Sequence, residues 1–208
     1  LKDILPEEIG YWQEVERVTR EVMDNFRYSE IRTPIMEKTS VFARGVGEGT
    51  EVVSKQMYTF EDKGGRSMTL RPECTASVVR SYLENKMYGK EELSKLYYIG
   101  PMFRYETPQK GRSRQFHQYG AEVLGSDDPA LDVEVIRIGL SILDRLGVSE
   151  LGLALNSIGC PSDRQEFIDD LVKYFEPYRS ELCSDCQGRL ENNPLRILDC
   201  KEDRCKAL

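Results

Sequence analysis

Residues 97–125, YYIGPMFRYETPQKGRSRQFHQYGAEVLG, decide the fold because they read as two strands joined by a basic loop. Alternation along the first strand places Met102, Arg104 and Glu106 on one face. The same rule groups four residues of the second strand: Phe116, Gln118, Gly120 and Glu122. One side of the predicted hairpin therefore gathers a cation, carboxylates, an amide and an aromatic ring, with a glycine leaving room between them.

The loop between the two strands, Thr107 to Arg114, adds positive charge through Lys110, Arg112 and Arg114. We call this polar face of the hairpin the floor and the basic loop the lid. Together they would suit a small zwitterion bound beside a polyphosphate. The alternative is a solvated polar face with a charged turn, which is the common meaning of clustered charge on a surface. Alternation alone leaves both interpretations open.

Composition sets limits on the rest of the chain. Its 208 residues are 39% hydrophobic and 31% charged, which is typical of a globular protein. The net charge of -7 argues against nucleic-acid binding through a broadly basic surface, so RNA would have to use the local patch at 110–114. No apolar run approaches the ~20 residues of a membrane span, and LKDILPEE is not a targeting signal. We therefore expect a trimmed portion of a cytoplasmic protein that contacts no membrane.

The front of the chain alternates helix and strand. Apolar spacing predicts a helix over Glu7 to Phe26, then a short strand from Tyr28 to Thr33 that stops at Pro34. Ser40 to Lys55 lacks periodicity and is expected to be a polar loop. A turn at DKGG predicts a hairpin of Met57 to Glu61 with Arg66 to Arg71.

That hairpin leads into TLRPECTA, residues 69–76, and a helix is predicted over Thr75 to Leu83. Glu73 and Thr75 consequently lie at a strand-to-helix junction, where ligand contacts are common. Both residues also favour a helix N-terminus on their own account, Glu73 as a first-turn carboxylate and Thr75 as a cap. The pattern permits either role.

The second half is predicted to be mostly helical. Helices are expected over Pro129 to Leu146, Pro161 to Phe175 and Ser180 to Leu190, with an apolar strand at 151–159 between the first two. Four cysteines follow a C-x2-C, thirteen residues, C-x4-C pattern, which is close to zinc-ribbon spacing: Cys183, Cys186, Cys200 and Cys205. They are either zinc ligands or reduced thiols in a small helical insertion, and the spacing does not separate the two.

FRYE followed by the loop, the Arg112 to Phe116 run and a closing Glu122 resembles motif 2 of class II aminoacyl-tRNA synthetases. GRSRQFHQYGAE resembles the histidyl-tRNA synthetase family in particular. FRYSEIRTP, residues 26–34, resembles motif 1, and LRPExTA resembles the amino-acid-binding segment of that family. The resemblance implies an α+β fold, an antiparallel sheet flanked by helices. It assigns residues 1–160 to the front of the catalytic domain and 161–208 to the start of a helical insertion.

The resemblance also implies what the residues do, namely activation of L-histidine with ATP and transfer to tRNA(His). Arg104 would be the catalytic residue, and Glu73, Thr75, Gln118 and Glu122 would join it in binding histidine. ATP would meet Arg104, Glu106, Arg112 and Phe116, with Mg²⁺ on its phosphates and no metal held by the site itself. A homodimer is implied through the helix and strand at 7–34.

The chain departs from the family pattern because motif 3 and the anticodon-binding domain are not found in it. The resemblance therefore covers nearly the whole chain but only the front half of a synthetase. Two alternatives stay open: a non-catalytic, histidine-binding relative such as the regulatory subunit of ATP phosphoribosyltransferase, and an inactive structural fragment. The intact GRSRQFHQ segment favours the enzyme, since a sensor has no need of an ATP-binding loop.

Overall fold

Strands β5, Ser94–Phe103, and β6, Gln115–Leu124, form the long antiparallel hairpin that the sequence predicts. Their register places Leu96 opposite Glu122, Gly100 opposite Gln118 and Met102 opposite Phe116. These residues share one face, as alternation requires. Strand β1, Ser29–Glu30, joins β5 in parallel and completes a three-stranded sheet in the order β1-β5-β6.

The computed structural model describes residues 2–47, 52–106, 111–156 and 159–208, with the backbone only at 46 and 54. The helices are α1 Pro6–Asn25, α2 Thr39–Val46, α3 Thr75–Glu84, α4 Pro129–Arg145, α5 Pro161–Phe175, α6 Ser184–Asn192 and α7 Asp203–Lys206. The remaining strands are β2 Met36–Lys38, β3 Tyr58–Glu61 and β4 Ser67–Leu70. Among the described helices none has the length and apolar character needed to cross a bilayer.

Helices cover both faces of the β5–β6 sheet. On one face α1 and α4 bury Val22 and Ile142 against Tyr97. On the other face α3 contributes Val78, which packs with Tyr98 and with a fully buried set that includes Met102. The face that carries Gln118 and Glu122 is therefore not a solvated surface, because its apolar neighbours form a core beneath α3. The expected α+β class, with a sheet flanked by helices, is confirmed.

The second sheet, β2-β4-β3, meets the first at Arg71, which follows β4. The backbone amide of Arg71 donates to the carbonyl of Ile35, and its carbonyl accepts from the amide of Phe103, both at 2.9 Å. Its side chain is only 6% exposed. The guanidinium donates to the carbonyl of Pro101 at 2.9 Å and to that of Thr33 at 3.1 Å. Arg71 thus connects the end of the central strand of one sheet, β4, to the central strand of the other, β5.

The segment expected to be a loop over Ser40 to Lys55 is largely helical, and that prediction was wrong. Helix α2 occupies its first part and a π-helical turn, Val52–Gln56, its last. Phe42 is fully buried, and a Cβ on Gly45 would lie 2.6 Å from the Cβ of Ala76 in α3. The lack of a side chain at Gly45 therefore permits the close packing of α2 on α3. Gly49 lies outside the described residues.

Three other boundaries differ from expectation. The strand predicted over Tyr28 to Thr33 is reduced to β1. Residues 151–156 form no strand, because a strand needs a paired neighbour and the described registers include none for this segment. The apolar side chains at 151, 153 and 155 are exposed. Residues 157 and 158 of that prediction lie outside the described residues. Helix α6 begins at Ser184 rather than Ser180, after Cys183 caps it by accepting from the amide of Cys186.

The chain divides into two compact units, Leu1–Leu151 and Gly152–Leu208. The second unit contains α5, α6 and α7 together with two short 3-10 turns, Glu176–Tyr178 and Pro194–Ile197. Its core is small and comprises Leu171, Phe175, Leu182, Leu190 and Ile197 with three buried cysteines. The first unit carries every residue that the sequence assigned to histidine and ATP.

Candidate active site

Glu73 closes the N-terminus of α3. Its carboxylate accepts from the backbone amide of Thr75 at 2.6 Å and from that of Ala76 at 3.1 Å. These amides have no partner within the helix, and a carboxylate beside them is stabilised by the positive end of the helix. The helix-stabilising role considered for Glu73 is therefore observed, whereas Thr75 is the first residue of α3 and its hydroxyl bonds Glu122 instead of capping the helix. The hydrogen bonds to Glu73 also fix its carboxylate beside the floor formed by β5 and β6.

Thr75 links α3 to the floor. Its hydroxyl donates to the carboxylate of Glu122 at 2.6 Å, across forty-seven residues of sequence. Burial raises the pKa of Glu122, and the nearby Glu73 carboxylate raises it further, while hydrogen bonds from Thr75 and Tyr98 lower it. The structure thus brings together Glu73, Thr75 and Glu122 in one hydrogen-bonded chain, as the sequence predicted for a common site.

Tyr98 belongs to this cluster, and the sequence analysis did not assign it a role. Its ring is 4% exposed, and burial raises its pKa well above the ordinary value. Gly120 lies opposite Tyr98 in the register, and any Cβ there would clash with the tyrosine hydroxyl. The signal was available, since a glycine facing an aromatic residue across two strands indicates that the ring crosses over it. The predicted space beside Gly120 is filled by Tyr98.

Gln118 lies next to Gly120 on the same face of β6, two steps from Glu122 in the alternation. Its side-chain oxygen is buried and has no hydrogen-bond partner in the described part of the chain. A buried amide oxygen without a donor costs roughly 1–3 kcal/mol. A bound ligand that supplies an N–H would remove that cost. Gln118 therefore offers a buried, unpartnered acceptor on the face of β6 that also carries Glu122.

Arg104 follows the end of β5 and is held from two sides. Its Nε donates to the carbonyl of Pro72 at 2.8 Å, next to Glu73 in sequence. Its guanidinium lies over the ring of Phe116, 5.1 Å from the centroid. Within the described residues no hydrogen bond is recorded from its two terminal amino groups, so they remain available to an anion. Arg104 and Phe116 thus lie together, beside the segment that carries Glu73.

Glu106, Arg112 and Arg114 form a separate group at the start and end of the loop. Arg112 lies 3.3 Å from the Glu106 carboxylate, and the Arg114 guanidinium stacks 4.1 Å from the ring of Tyr105. The amide of Glu106 donates to the carbonyl of Arg104 at 2.9 Å. Residues 107–110, which include Lys110 of the predicted lid, lie outside the described residues. Arg112 is thus paired with Glu106. The residues predicted to bind the histidine ammonium and side chain lie in a second group: Glu73, Thr75, Gln118 and Glu122.

Fold and site together correspond to a class II aminoacyl-tRNA synthetase. The family model described as histidyl-tRNA synthetase matches residues 1–161. A histidine–tRNA ligase of Halothermothrix orenii is 58% identical over 99% of this chain and 49% of its own length. The crystal structure of apo S. aureus histidyl-tRNA synthetase aligns over the whole chain and 50% of its own, with 45% identity and a TM-score of 0.75.

The chain belongs to the histidyl-tRNA synthetase family. It spans about half the length of the curated relatives that it matches. A more distant structure from Bacillus halodurans, titled ATP phosphoribosyltransferase regulatory subunit/histidyl-tRNA synthetase, aligns with a TM-score of 0.65 at 20% identity. That second likeness shows the fold alone.

Replacing Glu122 with glutamine should flatten the dependence of stability on pH. Because the pKa of Glu122 is raised in the fold, the folded chain holds this proton more tightly than the unfolded chain. Stability from this group is therefore complete below the ordinary value of 4.5 and is lost as the pH rises through the raised value. As the pH rises from below 4.5 to neutral, we expect the free energy of unfolding to fall less in Glu122→Gln than in the parent chain.

The measurement is urea unfolding across this pH range, followed by the fluorescence of Trp12, the single tryptophan. Trp12 lies in the first unit and reports on it directly. Glu91→Gln, at an exposed position, is the matched control and should follow the parent curve. Parallel curves for the parent and Glu122→Gln would contradict the assignment.

Proposed function

We propose that this chain forms the amino-acid-activating front of a histidine–tRNA ligase, which converts L-histidine and ATP to histidyl-adenylate and then charges tRNA(His). The observation that carries the proposal is the half-buried Glu122, linked through Thr75 to Glu73 on the same floor as Arg104. The relatives named as histidine–tRNA ligases support the same substrate. Catalysis here would come from positioning and charge neutralisation.

Histidine would lie over the Glu73–Thr75–Glu122 chain. Its α-ammonium has three N–H donors, which suit the carboxylate of Glu73, the hydroxyl of Thr75 and the unpartnered oxygen of Gln118. Glu122 would accept a hydrogen bond from an imidazole N–H, which would replace hydrogen bonds to water that this carboxyl group loses through burial. An apolar amino acid supplies no such donor, so the Glu122 carboxylate would keep only its bonds from Thr75 and Tyr98 and gain nothing from the ligand. Sites built in this way reject apolar analogues strongly.

ATP would lie over Arg104 and Phe116. One histidine carboxylate oxygen attacks the α-phosphorus, the new O–P bond forms, and the bond to pyrophosphate breaks. The Arg104 guanidinium, fixed through Nε to the Pro72 carbonyl, would fork to the attacking carboxylate and the α-phosphate. Phe116 would stack on the adenine, the backbone of Glu106 would lie at its edge, and Arg112 would meet the γ-phosphate. That last role requires Arg112 to leave Glu106.

Mg²⁺ would accompany ATP as the counter-ion of its phosphates. In the described floor the carboxylates of Glu73 and Glu122 accept from amides and a hydroxyl, and that of Glu106 lies 3.3 Å from the Arg112 guanidinium, so we assign none of them to a metal. tRNA(His) is the acceptor of the second step, and protein synthesis would place the enzyme in the cytoplasm. A regulatory, histidine-sensing relative is the second candidate, but no contact in the described site favours it over the enzyme.

Replacing Arg104 with alanine should abolish most histidine-dependent ATP–pyrophosphate exchange. Loss of one preorganised donor to the developing charge typically lowers the rate about 10²–10³-fold. Exchange is measured on the purified chain with radiolabelled pyrophosphate, with leucine in place of histidine as the substrate control. Arg137→Ala, an exposed arginine of α4, is the matched control and should retain the parent rate.

Exchange that is equal in Arg104→Ala and the parent chain would contradict the catalytic role of Arg104. Exchange supported equally by leucine would contradict the proposed recognition by Glu122. A parent chain that binds histidine but shows no exchange would favour the sensing alternative. A chain that binds neither substrate would be the structural fragment.

We propose further that the chain forms a homodimer through α1 and β1. Apolar side chains are exposed along and beside these elements: Leu5, Ile9, Tyr11, Val15, Ile35 and Met36. Tyr11 is 79% exposed. Strand β1 also lies at the edge of its sheet in the described topology, where its outer backbone groups can pair with another chain. Exposed apolar side chains beside an unpaired strand edge support an association surface here.

The double change Ile9→Lys and Tyr11→Lys should weaken self-association about tenfold or more, since buried aromatic anchors dominate interfaces. Analytical ultracentrifugation should give the parent twice the 24.0 kDa mass of one chain. Tyr88→Lys, an exposed tyrosine in the turn after α3, is the control and should sediment as the parent does. A parent chain that stays at the mass of one chain at every concentration would contradict the proposal.

A further inference from the structure

Four cysteines from three separate segments of the second unit come together in space. Cys183 and Cys186 flank the first turn of α6, Cys200 follows the Pro194–Ile197 turn, and Cys205 lies in α7. Their sulfur atoms all lie within 4.8 Å of one another. Cys183, Cys186 and Cys205 are buried and Cys200 is partly buried. No other group of cysteine, histidine or acidic residues in the described ranges meets in this way.

The separations suit a metal ion at the centre of the four sulfurs. Zinc–sulfur bonds of about 2.3 Å in a tetrahedron place neighbouring sulfurs about 3.8 Å apart. The sulfurs of Cys183 and Cys200 are 3.9 Å apart. A disulfide needs about 2.05 Å, and all four cysteines are free thiols. The cluster therefore has the size of a metal site rather than that of a pair of cross-links.

Backbone amides already point at these sulfurs. The amide of Cys186 donates to the sulfur of Cys183 at 3.4 Å, and the amide of Cys183 donates to that of Cys205 at 3.2 Å. Cys183 caps the N-terminus of α6, where the helix dipole favours a thiolate over a thiol. The guanidinium of Arg189 lies 3.9 Å from the sulfur of Cys186. Such outer contacts orient metal ligands and stabilise their negative charge.

The second unit has little else to hold its C-terminal segment. Its core consists of a few apolar side chains with Cys183, Cys186 and Cys205 among them. Units of fewer than about 70–80 residues rarely reach useful stability from one apolar core and commonly add a metal or cross-links. The C-terminal helix α7 is four residues long and contributes only Cys205 to the buried core. A shared ion would tie α6, the segment at Cys200 and α7 together.

We propose that Cys183, Cys186, Cys200 and Cys205 bind one structural Zn²⁺ as four thiolates. Binding releases the protons of the four thiols to solvent and leaves a local charge of minus two, which Arg189 partly offsets. Four protein ligands fill the tetrahedron and leave no position for a substrate, so the ion is structural and not catalytic. The site is separate from the histidine and ATP residues, all of which belong to the first unit.

The test is the metal content of the full 208-residue chain, purified under reducing conditions and measured by plasma mass spectrometry. We expect about one zinc per chain. Cys200→Ala should lose at least about half of it, because three thiolates bind zinc much more weakly than four. Cys160→Ala is the matched control, since this cysteine is exposed and outside the cluster, and it should keep the parent content.

Cobalt substitution in the parent chain provides a readout that needs no variant. Co²⁺ in a tetrahedral thiolate site should give sulfur-to-cobalt charge-transfer absorption and intense ligand-field bands, which zinc should displace. A chelator should also lower the hydrogen-exchange protection of α6. Metal below about one-tenth per chain after zinc exposure would overturn the proposal. Stoichiometric iron with iron–sulfur absorption, or disulfides among the four cysteines, would overturn it equally.

Discussion

The buried guanidinium of Arg71 holds the first unit together. A charge with 6% exposure is costly unless its donors are satisfied, and here backbone carbonyls at Pro101 and Thr33 satisfy them. Gly100 makes the approach possible, because a Cβ at that position would come within 2.5 Å of the guanidinium. Since Arg71 also exchanges backbone hydrogen bonds with both sheets, the segment that follows it has little freedom.

That constraint positions the candidate site. Pro72, Glu73 and Thr75 follow Arg71 directly, so anchoring Arg71 against β5 places the carboxylate and hydroxyl over the floor of β5 and β6. The carbonyl of Pro72 then holds Arg104, and the hydroxyl of Thr75 reaches Glu122. These contacts fix Glu73, Thr75, Arg104 and Glu122 without a ligand, which the proposed reaction would require because it depends on positioning and charge. The raised pKa of Glu122 is a consequence of placing a carboxyl group in this enclosed position.

Hydrophobic periodicity was sufficient to predict those helices and strands that bury one of their own faces in the core. It predicted α1, α3, α4, α5 and the β5–β6 hairpin, and alternation grouped Gln118 with Glu122. It failed where a tertiary contact decided the structure, as in α2, whose glycine serves a close contact with Ala76. Arg71 was missed for the same reason, since it belongs to no local pattern, whereas Tyr98 could have been identified from Gly120 opposite it once the two strands were paired. The four cysteines show the opposite case: their spacing left two interpretations open, and only their approach in space favours a metal.

The central claim, that the Glu73–Thr75–Glu122 chain and Gln118 bind histidine, is tested most directly by NMR. The side-chain amide of Gln118 and the backbone amide of Thr75 would be assigned and followed as L-histidine is added. The account predicts saturable shifts of both signals, with the side-chain amide of Gln187 in the second unit unchanged. Equal shifts with leucine, or no shift of Gln118 and Thr75 at saturating histidine, would contradict it.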